Sequence, residues 1–372
     1  MASETPTASN GHITEDEASL YDRQIRLWGL EAQNKMRSST VLVLSLRGVA
    51  HELIKNIVLA GIGRLIVADG ETVTEEDLGS GFLFHEEAGA VGTERTAAAL
   101  PQIASLNPLV SLTARPSLAP FVTEDGSDED AIEAFLREEK VDVVVACDLS
   151  FKQMEAIDAG ARKAGSRFFG AGTYGFYGYV FADLGEQYDF VFTPKGLPNQ
   201  PAPALQKKTA AYASLASVVD RSKWNLPATQ AAEGGSPFRG LTRNLTKGQQ
   251  PGLFIGLLAL WEFEKRHGAL PTGAEGQQDE LTSIAEELRK ELAINEKALP
   301  AVDASVIEHL SSHATHFFPP TLAILGGMLA QDVLRVLSHK DTPITNFLAV
   351  DSLGGVGIVT RWAMGAPVDT AA

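Results

Sequence analysis

The residues best placed for chemistry lie in a strand–loop–helix near the N-terminus, VLVLSLRGVAHELIKN, Val41–Asn56. A phosphate loop at such a turn needs glycines, so that main-chain N–H groups at a helix N-terminus can approach phosphate oxygens. Here the loop is Ser45-Leu46-Arg47-Gly48-Val49-Ala50, with a single glycine. The strand, turn and helix of a nucleotide site are kept while the loop is filled with side chains. Gly48 therefore reads as a close helix–strand contact, not a phosphate contact. Two other groups have chemical potential. Cys147 ends the apolar run VDVVVAC beside Asp148, which suits a core strand better than a thiolate needing exposure and positive neighbours. His309, His313 and His316 in IEHLSSHATHFF have helical spacing that could suit a metal. No cysteine or dense carboxylates accompany them, so they read as a polar hinge.

The elements that must position these residues alternate. Strand VLVLSL, helix HELIKNIVLAG closing on Gly61, strand RLIVAD, helix TERTAAALPQIASLN, a strand near VSLTA, helix AIEAFLREE and strand VDVVVAC follow in order. That is a βαβ series, which predicts an α/β fold with a mostly parallel sheet and right-handed crossovers. After a helix around FKQMEAIDAGARKAG, the runs SRFFGAG and TYGFYGYVFADLG predict antiparallel edge strands with Gly at tight points. EDGSDEDAIEAFLREEK reads as a solvated loop with acidic residues at a helix start.

The polar stretch 1–18 reads as a disordered tail, and 19–191 as the first part of an α/β domain. From 192 to 314 the sequence turns Pro-, Gly- and polar-rich between helical stretches such as GLFIGLLALWEFEKRHG and ELTSIAEELRKELAINEKAL, which predicts a mainly helical insertion. Residues 315–372 return to the first pattern. FFPPTLAILGGMLAQDVLRVLSHK predicts an apolar helix started by a proline pair, and NFLAVDSLGGVGIV two final strands rejoining the first sheet. The Gly326-Gly327 pair permits close helix packing, either inside the chain or against another subunit.

With 44% hydrophobic and 21% charged residues over 372 positions, the chain can bury a sizeable core. A net charge of −16 disfavours nucleic-acid binding, which relies on Lys and Arg meeting phosphates. The lone cysteine excludes a disulfide framework and a cysteine-ligated zinc site. No apolar run reaches the roughly 18 residues of a membrane span, and the N-terminus is polar, not signal-like. A cytosolic or nuclear protein without membrane partners is the expectation.

YDRQIRLWGLEAQNKMRSS, Tyr21 to Ser39, directly precedes the first strand. Read alone, Arg23 and Arg26 are solvated charges on a helix whose apolar residues pack on the sheet. Together with KNIVLAGIG, FFGAGTYGFYGYVFADLGE, LAILGGMLAQDVLRVLS, NFLAVDS and the terminal GIV, however, the segment resembles the ubiquitin-like-protein activating enzymes, which carry a Rossmann-like ThiF/MoeB-type adenylation fold. Within them it is most similar to the smaller subunits of the heterodimeric SUMO-activating enzymes. Family members that bind ATP carry a G-x-G-G-x-G loop, an acidic residue after the second strand, an Asn-x-x-Arg element and a lysine on the following helix. Here the glycine loop is altered, Asp69 and Glu71 keep the acidic character, DLGSGFLF lacks the Asn and Arg, and VGTERTAAAL lacks the lysine. Asp148 matches the family's magnesium-linked aspartate, but Leu149 stands where an Asn follows it.

The resemblance implies a half that keeps the scaffold without binding nucleotide, leaving Gly48, Asp69, Glu71 and Asp148 as vestigial positions. ATP and magnesium would be held by the larger catalytic subunit, and the activated protein would be SUMO. The arginine of the family's RQ element reaches across the dimer to the nucleotide in the opposite subunit, and Arg23 matches it; Gln24 would orient it and Arg26 support the interface. The thioester cysteine would lie on the partner, and residence would be nuclear. Two alternatives use the same fold. A self-sufficient homodimeric adenylating enzyme of the sulfur-carrier type conflicts with the missing glycines, lysine and cysteine pairs. An activating-enzyme subunit for another ubiquitin-like protein such as NEDD8 fits less well, because that subunit usually has a larger insertion. An NAD-linked oxidoreductase would need the absent G-x-G-x-x-G.

Overall fold

The computed structural model describes residues 14–123, 128–194 and 204–369. It begins with three short helices, α1 (Glu15–Leu20), α2 (Asp22–Trp28) and α3 (Leu30–Arg37). The βαβ series then follows: β1 (Thr40–Leu44), α4 (Gly48–Leu59), β2 (Arg64–Ala68), α5 (Glu75–Ser80), α6 (Arg95–Leu106), β3 (Ser111–Arg115), α7 (Glu129–Glu138), β4 (Val143–Cys147), α8 (Phe151–Ala164) and β5 (Arg167–Tyr174). Strands β6 (Tyr177–Asp183), β7 (Tyr188–Phe192) and β8 (Gln206–Ala210) lead into helices α9 (Leu215–Val219), α10 (Arg243–Gly248), α11 (Pro251–His267), α12 (Gln277–Glu291), α13 (Ala304–His313) and α14 (Pro319–Ser338). The described residues end with β9 (Phe347–Asp351), β10 (Val356–Thr360) and β11 (Val368–Asp369).

The large sheet has the order β10-β9-β6-β5-β4-β1-β2-β3. β1 to β5 run parallel, while β6, β9 and β10 are joined antiparallel. Every residue of β1 and β4 is buried, as a parallel strand covered on both faces requires. One apolar layer joins α4, α6 and α14 to one face of the sheet, and a second joins α7, α8, α11 and α12 to the other.

Four expectations need correction. The helical start precedes Ser19: Thr14 accepts the Glu17 N–H while Glu17 bonds back to the Thr14 N–H, a capping box that begins α1 at Glu15. The rest of the expected tail, 1–13, lies outside the described residues. Neither β5 nor β6 is an edge: β5 lies between β4, to which it runs parallel, and β6, and β9 pairs with β6 residue for residue from Tyr177↔Asp351 to Phe181↔Phe347, a partner about 170 residues away that no local pattern reveals. Within 192–314, β8 was not foreseen; with β7 and β11 it forms a separate three-stranded sheet. Finally, α14 is long and apolar enough to cross a membrane by length and composition, yet 61% of its most apolar window is buried inside the protein. Its Gly326 lies where a Cβ would come within 2.4 Å of Glu52 Cβ on α4, so it serves an internal helix crossing.

Candidate functional site

The chain leaves β1 toward β2 on one side and returns from β3 to β4 on the other. The carboxyl ends of β1 and β4 therefore flank the switch point where ligands bind in doubly wound folds. Arg47 and Gly48 follow β1 there, and Asp148 follows β4. A Cβ on Gly48, whose φ is +26°, would lie 2.9 Å from both the Asp148 carboxylate and the Phe317 ring. That glycine is required by its own chain.

The loop's N–H groups are largely bonded within the chain. Ser45, at φ +69°, donates to Ala68 O at 2.9 Å, and Ala50 to Arg47 O at 2.8 Å. The Leu46 N–H donates to Asp69 Oδ2 at 2.7 Å, and the Val49 N–H to Asp148 Oδ2 at 3.4 Å. Two carboxylates thus occupy directions in which phosphate oxygens would have to arrive. Arg47 supplies no side-chain cap to α4; its guanidinium lies 5.6 Å from the centre of the Phe317 ring. Asp148 also accepts the Thr173 N–H at 3.0 Å. Burial pushes its carboxyl up to about 6, against the opposing pull of those two N–H groups and the Arg47 charge. A cavity of about 280 Å³ remains beside it, lined by Arg47, Asp148, Ser150, Thr173, Glu264 and Phe317 among others, just below the roughly 300–1,000 Å³ usual for ligand pockets.

Asp69 and Glu71 are engaged by a residue the sequence reading passed over. Arg95 is fully buried at the start of α6 and reaches Glu71 at 2.7 Å, Asp77 at 2.9 Å and Asp69 at 3.6 Å. Asp77, which closes a capping box on α5 with Thr74, is held below the usual carboxylate range: burial raises it, but the Thr74 N–H and Arg95 outweigh that. His51 supports the loop from beneath. Its Nδ1 accepts the Leu83 N–H at 3.2 Å, which leaves Nε2 as the donor to Leu46 O at 3.1 Å. Burial lowers its pKa to about 4, so the ring is neutral at physiological pH. Only the position of Arg95 in VGTERTAAAL, among the acidic residues before it, gave a signal; a lone His on an apolar helix gives none.

Arg23 is not brought to this place. It stands exposed on α2 and makes no hydrogen bond or ion pair among the described residues. Its neighbour Gln24 donates to Leu59 O at 3.2 Å, at the last residue of α4, while the switch-point loop enters that helix at Gly48. Twelve helical residues separate the two ends, about 18 Å at 1.5 Å per residue. Arg26 pairs with Asp22 at 3.0 Å on the surface.

Cys147 is completely buried, and burial, followed by the neighbouring Asp148 charge, pushes its thiol well up. His309 accepts the Phe176 N–H through Nε2 at 3.0 Å and stacks on His313 at 4.6 Å. Among the described residues no group of three or more His, Cys, Asp or Glu side chains is arranged to hold a metal ion.

The ThiF family matches residues 21–362 of the chain. SUMO-activating enzyme subunit 1 of Homo sapiens is 31% identical over 363 residues, covering 94% of this chain and 96% of that protein. The subunit of the same description from Rattus norvegicus is 32% identical over 360 residues, covering 93% and 95%, and that from Danio rerio is 29% identical over 368 residues. The crystal structure of SeMet PaaA superposes with a TM-score of 0.54 at 12% identity, covering 98% of this chain and 79% of that one, which concerns the fold alone.

Proposed function

The chain belongs to the ThiF family, and from that premise we propose that it is the subunit without a working nucleotide pocket in a heterodimeric SUMO-activating enzyme, acting in the nucleus. The observation that carries this reading is the loop after β1, whose Leu46 and Val49 N–H groups are already bonded to Asp69 and Asp148. A triphosphate there would have to displace both carboxylates and meet their charge. ATP and magnesium are therefore assigned to the larger subunit, and this chain alone is inert.

Its contribution to chemistry is Arg23. Adenylation joins the SUMO C-terminal carboxylate to the α-phosphate of ATP and releases pyrophosphate, so negative charge must be held on the transferring and leaving phosphates. A guanidinium supplied from across an interface can hold it, and its planar paired donors make lysine a poor substitute. Arg23 is exposed, without a partner among the described residues, and about a helix length from its own chain's switch point. Leu20, Leu27, Leu30 and Leu59 stand exposed on the surrounding elements, Leu27 at 78%, an apolar surface of the kind a partner subunit covers. The buried Cys147 is unsuited to thioester formation, which supports a thioester cysteine on the partner.

SUMO-dependent ATP–pyrophosphate exchange tests the reading, measured on the purified chain alone and mixed with the larger subunit. Exchange only in the mixture is expected. Exchange by this chain alone would overturn it in favour of a self-sufficient adenylating enzyme.

A further inference from the structure

We propose that Gln33 and Asn107 are positioning residues for Arg23, setting where its helix stands by gripping the carbonyl end of α4; the inference rests on Arg23 acting in trans. The last carbonyls of a helix lack intrahelical partners. At the end of α4, three side-chain amides from three other segments take three consecutive carbonyls. Asn107 Nδ2 donates to Val58 O at 2.9 Å, Gln24 Nε2 to Leu59 O at 3.2 Å, and Gln33 Nε2 to Ala60 O at 2.9 Å.

These bonds grip α2 at both ends. Before it, the buried Tyr21 hydroxyl accepts from Asn107 Nδ2 at 2.8 Å. Its ring fills the notch at Gly61, where a Cβ would lie 2.5 Å from it. At its last residue, Trp28 Nε1 donates to Gln33 Oε1 at 3.0 Å, and Gln33 is itself completely buried. Between these anchors α2 contains no buried residue, so apart from the buried Tyr21 ring and the partly buried Trp28 at its two ends its angle rests on these polar bonds. With no partner of its own among the described residues, Arg23 stands where this polar clamp puts it. A catalytic group needs placement to within a fraction of an ångström, and the clamp supplies it from residues that never reach the nucleotide.

The test is a double-mutant cycle in the reconstituted heterodimer, read by SUMO-dependent ATP–pyrophosphate exchange. Gln33→Leu is expected to lower kcat about tenfold, with assembly and the KM values for ATP and SUMO unchanged. The Gln33→Leu, Arg23→Ala double variant should be no slower than Arg23→Ala, since a residue acting only through Arg23 adds nothing once Arg23 is gone. Tyr21→Phe, which removes one hydroxyl and keeps the ring, enters the same cycle with a drop of a few-fold and carries the test if Gln33→Leu does not fold. Additive losses, or a wild-type kcat in the clamp variants while Arg23→Ala is slow, would overturn the positioning role. A wild-type rate in Arg23→Ala would instead overturn the trans-arginine reading beneath it.

Discussion

The Leu46 N–H donates to the Asp69 carboxylate at 2.7 Å, so the acidic residue after β2 closes the loop after β1. Its other oxygen accepts the Glu71 N–H at 2.8 Å, and Arg95 lies 3.6 Å away. Asp69 is buried and committed to its own chain. Asp69→Ala leaves a buried N–H unsatisfied, and a loss of about 1–3 kcal/mol is expected. Urea unfolding measures it, and isothermal titration should detect no ATP binding by the variant. An unchanged midpoint would show that the carboxylate does not hold the loop.

Arg23→Ala should leave heterodimer assembly intact and slow exchange about 10²-fold, the scale of losing one donor to developing charge. Arg23→Lys should recover little of that rate. Gel filtration and ATP–pyrophosphate exchange on the same preparations separate the two effects. Wild-type exchange with alanine at this position would remove the arginine from the chemistry.

His51 sets a pH dependence whose sign can be worked out. Its folded pKa, about 4, lies below the roughly 6.5 of an unfolded histidine, so the unfolded chain takes up the proton first on acidification. The contribution is fully present above pH 6.5 and is lost as pH falls toward 4, about 2 kcal/mol by pH 5 at 1.36 kcal/mol per unit. Asp148, raised to about 6, works in the opposite direction, favouring the fold as it protonates below that pH. His51→Gln keeps a donor for Leu46 O and an acceptor for the Leu83 N–H. Its stability loss between pH 7.5 and 5 should therefore be about 2 kcal/mol smaller than that of the wild type. Parallel chemical-denaturation curves at the two pH values decide it; equal losses would mean the ring titrates normally.

Local pattern made some of this legible. The βαβ alternation placed β1 to β5, and the single glycine at Gly48 marked a loop filled with side chains. The Thr14–Glu17 box was readable in ITEDE and was missed. What lay beyond reading were pairings across long stretches of chain: β9 on β6, Phe317 against Gly48, and the amides of Gln33 and Asn107 on the end of α4. Arg95 was in view, but only folding shows that its guanidinium faces three carboxylates. Polar residues reveal their partners through geometry, which periodicity does not encode.

Gly326 and Gly327 give adjacent substitutions of opposite expected sign. A Cβ at Gly326 would lie 2.4 Å from Glu52 Cβ, 3.1 Å from Val49 O and 3.3 Å from Leu53 N, all on the helix that begins at Gly48. Main-chain atoms there cannot give way without moving α4, and overpacking of this kind costs about 1–3 kcal/mol. A Cβ at Gly327 meets nothing within 4 Å, so alanine there brings only its better helix propensity, up to about 1 kcal/mol. Thermal unfolding should show Gly326→Ala melting lower and Gly327→Ala equal or higher. Because α4 carries the loop at one end and the α2 clamp at the other, Gly326→Ala should also slow exchange in the heterodimer while Gly327→Ala does not. A heterodimer that assembles poorly with Gly327→Ala would place that open glycine in the subunit contact.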